Sequence, residues 1–271
     1  MNLVKKTAFG EVDAIRLGFG PIGPPLMSVF LYVVDGLVID TGQRNMQKAV
    51  VEVLKQKKLH QILLTHHHED HSGNASVLSK HHQISVTGHP LTAEKLRSGY
   101  NILPYQRYVW GKADVVEVTP VESMIETDSL KFIPIHTPGH SKDHTAYLEE
   151  ENGWLFSGDL YLGDRIKYFR SDERLIDQIT SLKKILKFDF DALFCAHNPC
   201  LENGSARLKN KLQFLEDLYG SIHRLIQKGF PEREVIKKLD PKNDRLIRWV
   251  TMGNVSFANM IRSGINIARA E

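Results

Sequence analysis

Thr65-His66-His67-His68-Glu69-Asp70-His71 is the stretch that decides this chain's fold and chemistry. It follows Gln61-Ile62-Leu63-Leu64, a short apolar run that reads as a buried strand. Side chains alternate along extended backbone, so His66 and His68 fall on one side and His67 on the other. Ser72-Gly73-Asn74-Ala75 then turns the chain into a helix, which lets Asp70 and His71 face the same hollow. Converging imidazoles with a carboxylate are the donor set of a borderline cation such as zinc. A solvated histidine-rich loop is the competing reading, and the position at a strand end argues against it.

Three further strand-like runs end in the same kinds of donor. Ile135-His136-Thr137-Pro138-Gly139-His140 presents His140, Phe156-Ser157-Gly158-Asp159 presents Asp159, and Phe194-Cys195-Ala196-His197 presents His197. Taken singly, His197 suits a surface loop and Asp159 a turn. Four such endings can gather at one sheet edge, because each lies at the carboxyl end of its strand. The remaining strand expectations are residues 27–34, a hairpin at Asp35-Gly36, 37–39, 84–86, 115–118, 130–135, 146–148, 154–156 and 192–195. Helical spacing covers 46–59, and a helix capped by Ser171 or Asp172 carries Leu175, Ile176, Ile179, Leu182 and Leu186. Strands alternating with helices predict an α/β (α+β) fold.

From about residue 206 the pattern becomes helical only. Leu208, Leu212, Leu215, Leu218, Ile222 and Ile226 step by three and four up to Gly229, and short helices are expected near 231, over 244–250 and over 255–263. The expected organisation is a catalytic domain over 1–205 and a C-terminal helical subdomain over 206–271. The apolar stripe of the second predicts packing across the cleft or a homodimer face.

The composition narrows the class. A hydrophobic share of 42% with 25% charged residues excludes wholesale disorder in 271 residues, and 35 basic against 32 acidic side chains are too balanced to announce a nucleic-acid partner. Two cysteines, Cys195 and Cys200, are no disulfide framework, and Cys195 reads as a buried strand residue. No apolar run approaches the ~20 residues that span a bilayer, and Met1-Asn2-Leu3-Val4-Lys5-Lys6 has no secretory pattern, so a cytoplasmic protein without membrane contact is expected. His67, His81, His82, His89 and His136 read as structural or exposed, while His144 is a candidate for the mouth of the site.

The ordered set His66-x-His68-x-Asp70-His71, His140, Asp159, His197 resembles the metallo-β-lactamase-fold hydrolase superfamily over residues 27–200. The resemblance implies a four-layer αββα sandwich with a binuclear metal site at one edge. It implies His66, His68 and His140 on one ion, Asp70, His71 and His197 on the other, and Asp159 bridging both. Asp40, in Val38-Ile39-Asp40-Thr41-Gly42, resembles the buried aspartate that orients a ligand imidazole. Ala196-His197-Asn198-Pro199 departs from the Gly-His-Gly of many relatives, so the loop there is shaped differently. Secreted β-lactamases lack the bridging aspartate, and diiron flavoproteins place glutamate where His68 stands. Glyoxalase II is similar in ligand set and helical C-terminus, although its glutathione-contacting pattern is not found.

The implied cofactors are two divalent ions, zinc first with manganese or iron as alternatives. Such a pair lowers the pKa of a shared water, with Asp70 as the hydrogen-bond acceptor that holds the nucleophile. The expected function is hydrolysis of a small ester, thioester or lactone, with an anionic small-molecule substrate suiting a net positive site. Two alternatives stand beside it. One is a phosphodiesterase or endoribonuclease on single-stranded RNA, for which Arg97, Arg107 and Lys112 among Tyr100, Tyr105, Tyr108 and Trp110 would supply base stacking. The other is a mononuclear-iron enzyme like the persulfide dioxygenases. Residues 100–110 are a candidate lid or substrate wall, and Arg165, Lys167 and Arg170 either flank the cleft or form a solvated face.

Overall fold

The computed structural model describes residues 1–121, 123–240 and 245–270. Strand alternation explains its layering. Two sheets lie face to face, and within one strand neighbouring side chains enter different cores. In β2 (Val12–Gly18, after β1, Leu3–Phe9), Ile15 and Leu17 join the outer core, whereas Val12 and Ala14 join the one between the sheets. β3 (Val29–Val34) divides the same way, with Val29, Leu31 and Val33 outward and Tyr32 and Val34 inward. That period of two commits both faces of the sheet to burial.

The first sheet runs on through β4 (Leu37–Ile39) to three parallel strands separated by helices. In chain order these are α1 (Gln47–Leu54), β5 (Gln61–Leu63), α2 (Glu69–Ser72), α3 (Ala75–His82), β6 (Ser85–Gly88), α4 (Pro90–Ser98), α5 (Pro104–Val109) and β7 (Thr119–Pro120). Strand order is β1 to β7 without crossover, antiparallel up to β4 and parallel beyond. Val50 and Leu54 of α1, Leu78 of α3 and Leu96 of α4 cover its outer face.

The second sheet holds β8 (Ile125–Glu126), β9 (Lys131–His136), β10 (Thr145–Glu149), β11 (Trp154–Gly158) and, after α6 (Leu175–Ile185), β12 (Ala192–Cys195). Tyr147, Phe156 and Phe194 point between the sheets; Ala146, Leu148, Leu155, Leu193 and Cys195 point outward. Phe156 stacks on Phe194 at 4.9 Å, and Tyr32 meets Phe194 edge-on at 5.4 Å, contacts worth about 0.5–1.5 kcal/mol each beyond their burial. The tail adds α7 (Gly204–Gln227), α8 (Glu232–Leu239), α9 (Arg245–Val250) and α10 (Phe257–Ala268). Leu208, Leu215, Ile222, Val235, Met260, Ile261 and Ile265 share one core with α6 and the outer face of the second sheet. The result is the expected αββα sandwich with extra C-terminal helices.

Several local expectations need correction. The N-terminal hairpin β1–β2 was not foreseen from Lys5-Lys6, which interrupt the apolar alternation of an edge strand. Residues 115–118 form no strand: Val116 N–H donates to Leu96 O, so this stretch follows α4 and only Thr119–Pro120 pairs with β6. Neither Ser171 nor Asp172 caps α6; it begins at Leu175, whose N–H donates to Ser263 Oγ of the tail. Asp244, expected to open the helix over 244–250, lies outside the described residues, and α9 is described from Arg245. Among the described residues no helix is long and apolar enough to cross a membrane.

Candidate metal centre

β5 ends at Leu63, and the next eight residues deliver four donors to one edge of the sandwich. Two tyrosines between the sheets hold backbone leading into the site: Tyr147 OH donates to Leu64 O at 2.9 Å, just before the four donors, and Tyr32 OH donates to Cys195 O at 2.6 Å, just before His197. Each such buried bond contributes roughly 1 kcal/mol and leaves no carbonyl orphaned at a strand end. Gly158, with φ of 48°, lets β11 pass close to the first sheet; a Cβ there would lie 2.7 Å from His144 Nε2 and 2.8 Å from Thr65 Oγ1. Asp159 follows immediately.

All seven expected donors meet. His66 Nε2 is 2.8 Å from His68 Nδ1, which is 3.0 Å from His140 Nε2, so three imidazole nitrogens face one point. His197 Nε2 lies 3.3 Å from Asp70 Oδ2 and completes a second cluster with His71. Asp159 stands between the two. Its Oδ2 is 3.2 Å from His140 Nε2, and its Oδ1 is 3.4 Å from both His71 Nε2 and His197 Nε2. His71 Nε2 and Asp159 Oδ1 are buried without a hydrogen bond, a costly arrangement unless another group engages them. Five imidazoles and two carboxylates in overlapping groups fit divalent cation binding.

Electrostatics divide the clusters. Burial, reinforced by neighbouring imidazoles, holds His66 well below the ordinary histidine range; burial and Arg170 do the same for His68. For His71 burial pulls down, but Asp40, Asp70 and Asp159 together lift it well above that range. His197 is likewise opposed by burial and lifted to about 10 by Asp159 and Asp70. Burial would raise Asp70 and Asp159, yet their imidazole neighbours hold both below the usual carboxylate range.

Outer partners fix the rings. Asp40, at a φ of 59°, accepts from Thr65 N–H at 2.8 Å and from Thr65 Oγ1, and its Oδ2 meets His71 Nδ1 at 2.7 Å. His197 Nδ1 donates to Ser28 O at 2.8 Å, which turns Nε2 to the site. The Ala196 that stands where many relatives have glycine has both backbone groups engaged: its N–H donates to Gly158 O and its carbonyl accepts from Phe30 N–H. The loop therefore bridges the two sheets at its own position.

The other histidines and aromatics take defined places. His67 is buried against Asp143, 2.9 Å from its Oδ2, and that carboxylate also accepts from His67 N–H and Thr92 Oγ1. His144 does not line the mouth: it is fully buried, accepts Asp159 N–H at 3.0 Å and has burial pushing its pKa down to about 3. Tyr100 OH donates to His67 O at 2.6 Å, and Tyr105 OH accepts from Asn254 Nδ2 at 2.7 Å, so residues 100–110 are tied to the histidine turn and to the tail. The Trp110 ring lies 6.3 Å from that of His197. Burial, with Asp70 beside it, raises Glu69 to about 7, and Gln106 Nε2 donates to it at 3.0 Å. Cys195 is buried, its thiol pushed up to about 12. Sequence reasoning missed Asp143, Glu173 and Lys211. Lys211 of α7 is buried and donates to Leu160 O at 2.7 Å, beside Asp159 in the chain.

An αββα sandwich with this histidine–aspartate edge defines a class of metal-dependent proteins. Residues 25–197 match the family described as the Metallo-beta-lactamase superfamily, and the chain belongs to it. It is 27% identical over 214 residues to the Beta-lactamase-like protein 2 homolog of Drosophila melanogaster, covering 71% of this chain and 66% of that one. It is 31% identical over 170 residues to a hydroxyacylglutathione hydrolase of Buchnera aphidicola, covering 60% and 57%. The matched region thus spans less than two thirds of those relatives' own length. In fold, it is similar to a metallo-beta-lactamase family protein of Thermus thermophilus, with TM-score 0.67, 20% identity, and 92% and 91% of the two chains covered. A beta-lactamase domain protein of Burkholderia ambifaria gives TM-score 0.72 at 14% identity over 97% and 88%.

Proposed function

We propose that the chain is a metal-dependent hydrolase that cleaves a small, anionic ester, thioester or lactone. The observation that carries this reading is Asp159, whose two carboxylate oxygens each face a different donor cluster. His66, His68 and His140 would hold one divalent ion, Asp70, His71 and His197 a second, with Asp159 shared and zinc the first choice. When bound, such ions lower the pKa of a coordinated water towards about 7 and polarise the oxygen under attack. Asp70, kept ionised by His71 and His197, is the acceptor that orients the attacking water. Asp40 and Ser28 O hold the rings of His71 and His197, so these donors would receive a cation without reorganising. Arg170, whose Nε pairs with Asp172 at 3.1 Å, helps burial hold His68 below the ordinary histidine range.

Hydroxyacylglutathione hydrolases among the relatives support a thioester as the first substrate to try. The test is a substrate panel of glutathione thioesters, lactones, carboxylic esters, phosphodiesters and single-stranded RNA, with metal-loaded and chelated protein. Metal-dependent turnover of a thioester, lactone or ester is expected. Cleavage confined to RNA, or oxygen uptake with one iron per chain, would contradict the proposal.

A further inference from the structure

Three of the proposed ligand histidines have an outer partner at hydrogen-bond distance: Thr65 Oγ1 for His66 at 3.1 Å, Asp40 for His71 at 2.7 Å and Ser28 O for His197 at 2.8 Å. The outward nitrogens of the other two, His68 Nε2 and His140 Nδ1, are buried with no hydrogen bond among the described residues, and the carboxylate that His140 meets is Glu173, with Oε1 3.4 Å away. Glu173 is itself buried, and among the described residues its ion-pair partner is His140. The carboxylate is held from behind: Oε1 accepts Arg170 N–H at 3.0 Å and Oε2 accepts Gln178 Nε2 at 2.6 Å. A neutral side chain could close that turn, so the charge calls for another reason.

The segment that carries Glu173 is clamped from two sides. Arg174 N–H donates to Gly139 O, next to His140. From the tail, Ser256 N–H donates to Phe169 O, Asn254 O accepts Ser171 N–H, and Ser263 Oγ accepts Leu175 N–H. Gly139 (φ 138°) allows the His140 loop to abut α6, since a Cβ there would lie 2.5 Å from Gln178 N.

We propose that Glu173, carried on a segment clamped by the C-terminal tail, is a positioning residue that orients His140 for metal by accepting its Nδ1–H. The inference rests on the reading of the site as a metal centre. A ring that gives Nε2 to a cation carries its proton on Nδ1, and an outer carboxylate there fixes the ring plane and strengthens the donor.

The test uses the full chain loaded with cobalt(II), following the visible absorption band and chelator competition. Glu173→Gln keeps the turn's acceptor and the side-chain length but removes the charge. It is expected to bind cobalt about 10–100-fold more weakly and to alter the band, with the metal-free melting temperature little changed. Ser263→Ala, which frees Leu175 N–H, is expected to weaken binding in the same direction by less. Unchanged affinity and band in Glu173→Gln would overturn the inference while leaving the metal centre standing; failure of the unmutated chain to bind cobalt would overturn both. Should Glu173→Gln fail to fold, proton NMR of the zinc-loaded unmutated chain decides: a slowly exchanging His140 Nδ1–H is expected, and its absence overturns the inference.

Discussion

The two donor clusters share Asp159 but are built from different chemistry. His66, His68 and His140 form a triad of imidazoles, two of which burial keeps neutral and ready to donate. Asp70, His71 and His197 mix a carboxylate with two imidazoles that carboxylates hold protonated. A cation entering the first cluster would meet two imidazoles that burial keeps neutral, with only His140 lifted by Glu173 and Asp159, whereas one entering the second would meet two lifted imidazoles. On the proposed reading, the two halves would be prepared for metal differently: the first chiefly by desolvation of His66 and His68, the second by stored negative charge.

The shared residue tests the comparison most severely. Asp159→Ala removes the group both clusters use, and turnover is expected to fall by at least about 10³-fold, because several kcal/mol of charge stabilisation depend on the cations. Metal content by mass spectrometry should fall with it; retention of a full complement would show that the clusters act independently.

Proton release sharpens the contrast next. His197 at about 10 is protonated at neutral pH, so loading the second cluster releases protons and its affinity rises with pH. The first cluster, with His66 and His68 already neutral, releases fewer. Titration calorimetry in buffers of different ionisation enthalpy separates the two, and equal proton release would remove the distinction. In the metal-free protein the sign is opposite. A histidine raised in the folded state adds stability that is full below about 6.5 and lost as pH rises through about 10, so melting temperature should fall over that window.

A backbone test is smaller. Gly158→Ala places a Cβ against His144 and Thr65 at a left-handed φ, at a cost of about 1–3 kcal/mol in thermal unfolding. It should disturb Asp159, and so both clusters, together. The smallest effect belongs to Asp13→Asn, which removes the half-exposed ion pair with Lys57 far from either cluster. Its expected cost is under about 1 kcal/mol with unchanged metal content.

All seven donors could be found in the sequence because each is a metal-binding residue type at the carboxyl end of a strand, where chain direction alone brings them to one edge. The residues behind them were hidden for a physical reason. Asp143, Glu173 and Lys211 act through contacts that fold-level packing creates, and neither their type nor their spacing distinguishes them from surface charges. The same holds for His144, whose place beneath Asp159 depends on the close approach at Gly158. Among the elements, α1, α6, the helices of the tail and most inner strands follow from periodicity, while β1, an edge strand with lysines, the short helices α4 and α5, and residues 115–118, an apolar stretch lying along α4, do not.

Anomalous diffraction from crystals of the zinc-loaded chain, recorded at the zinc absorption edge, tests the central claim most directly. The account predicts two peaks, one enclosed by His66, His68, His140 and Asp159 and one by Asp70, His71, His197 and Asp159. Density for the metal elsewhere, or none among these seven side chains, would contradict it.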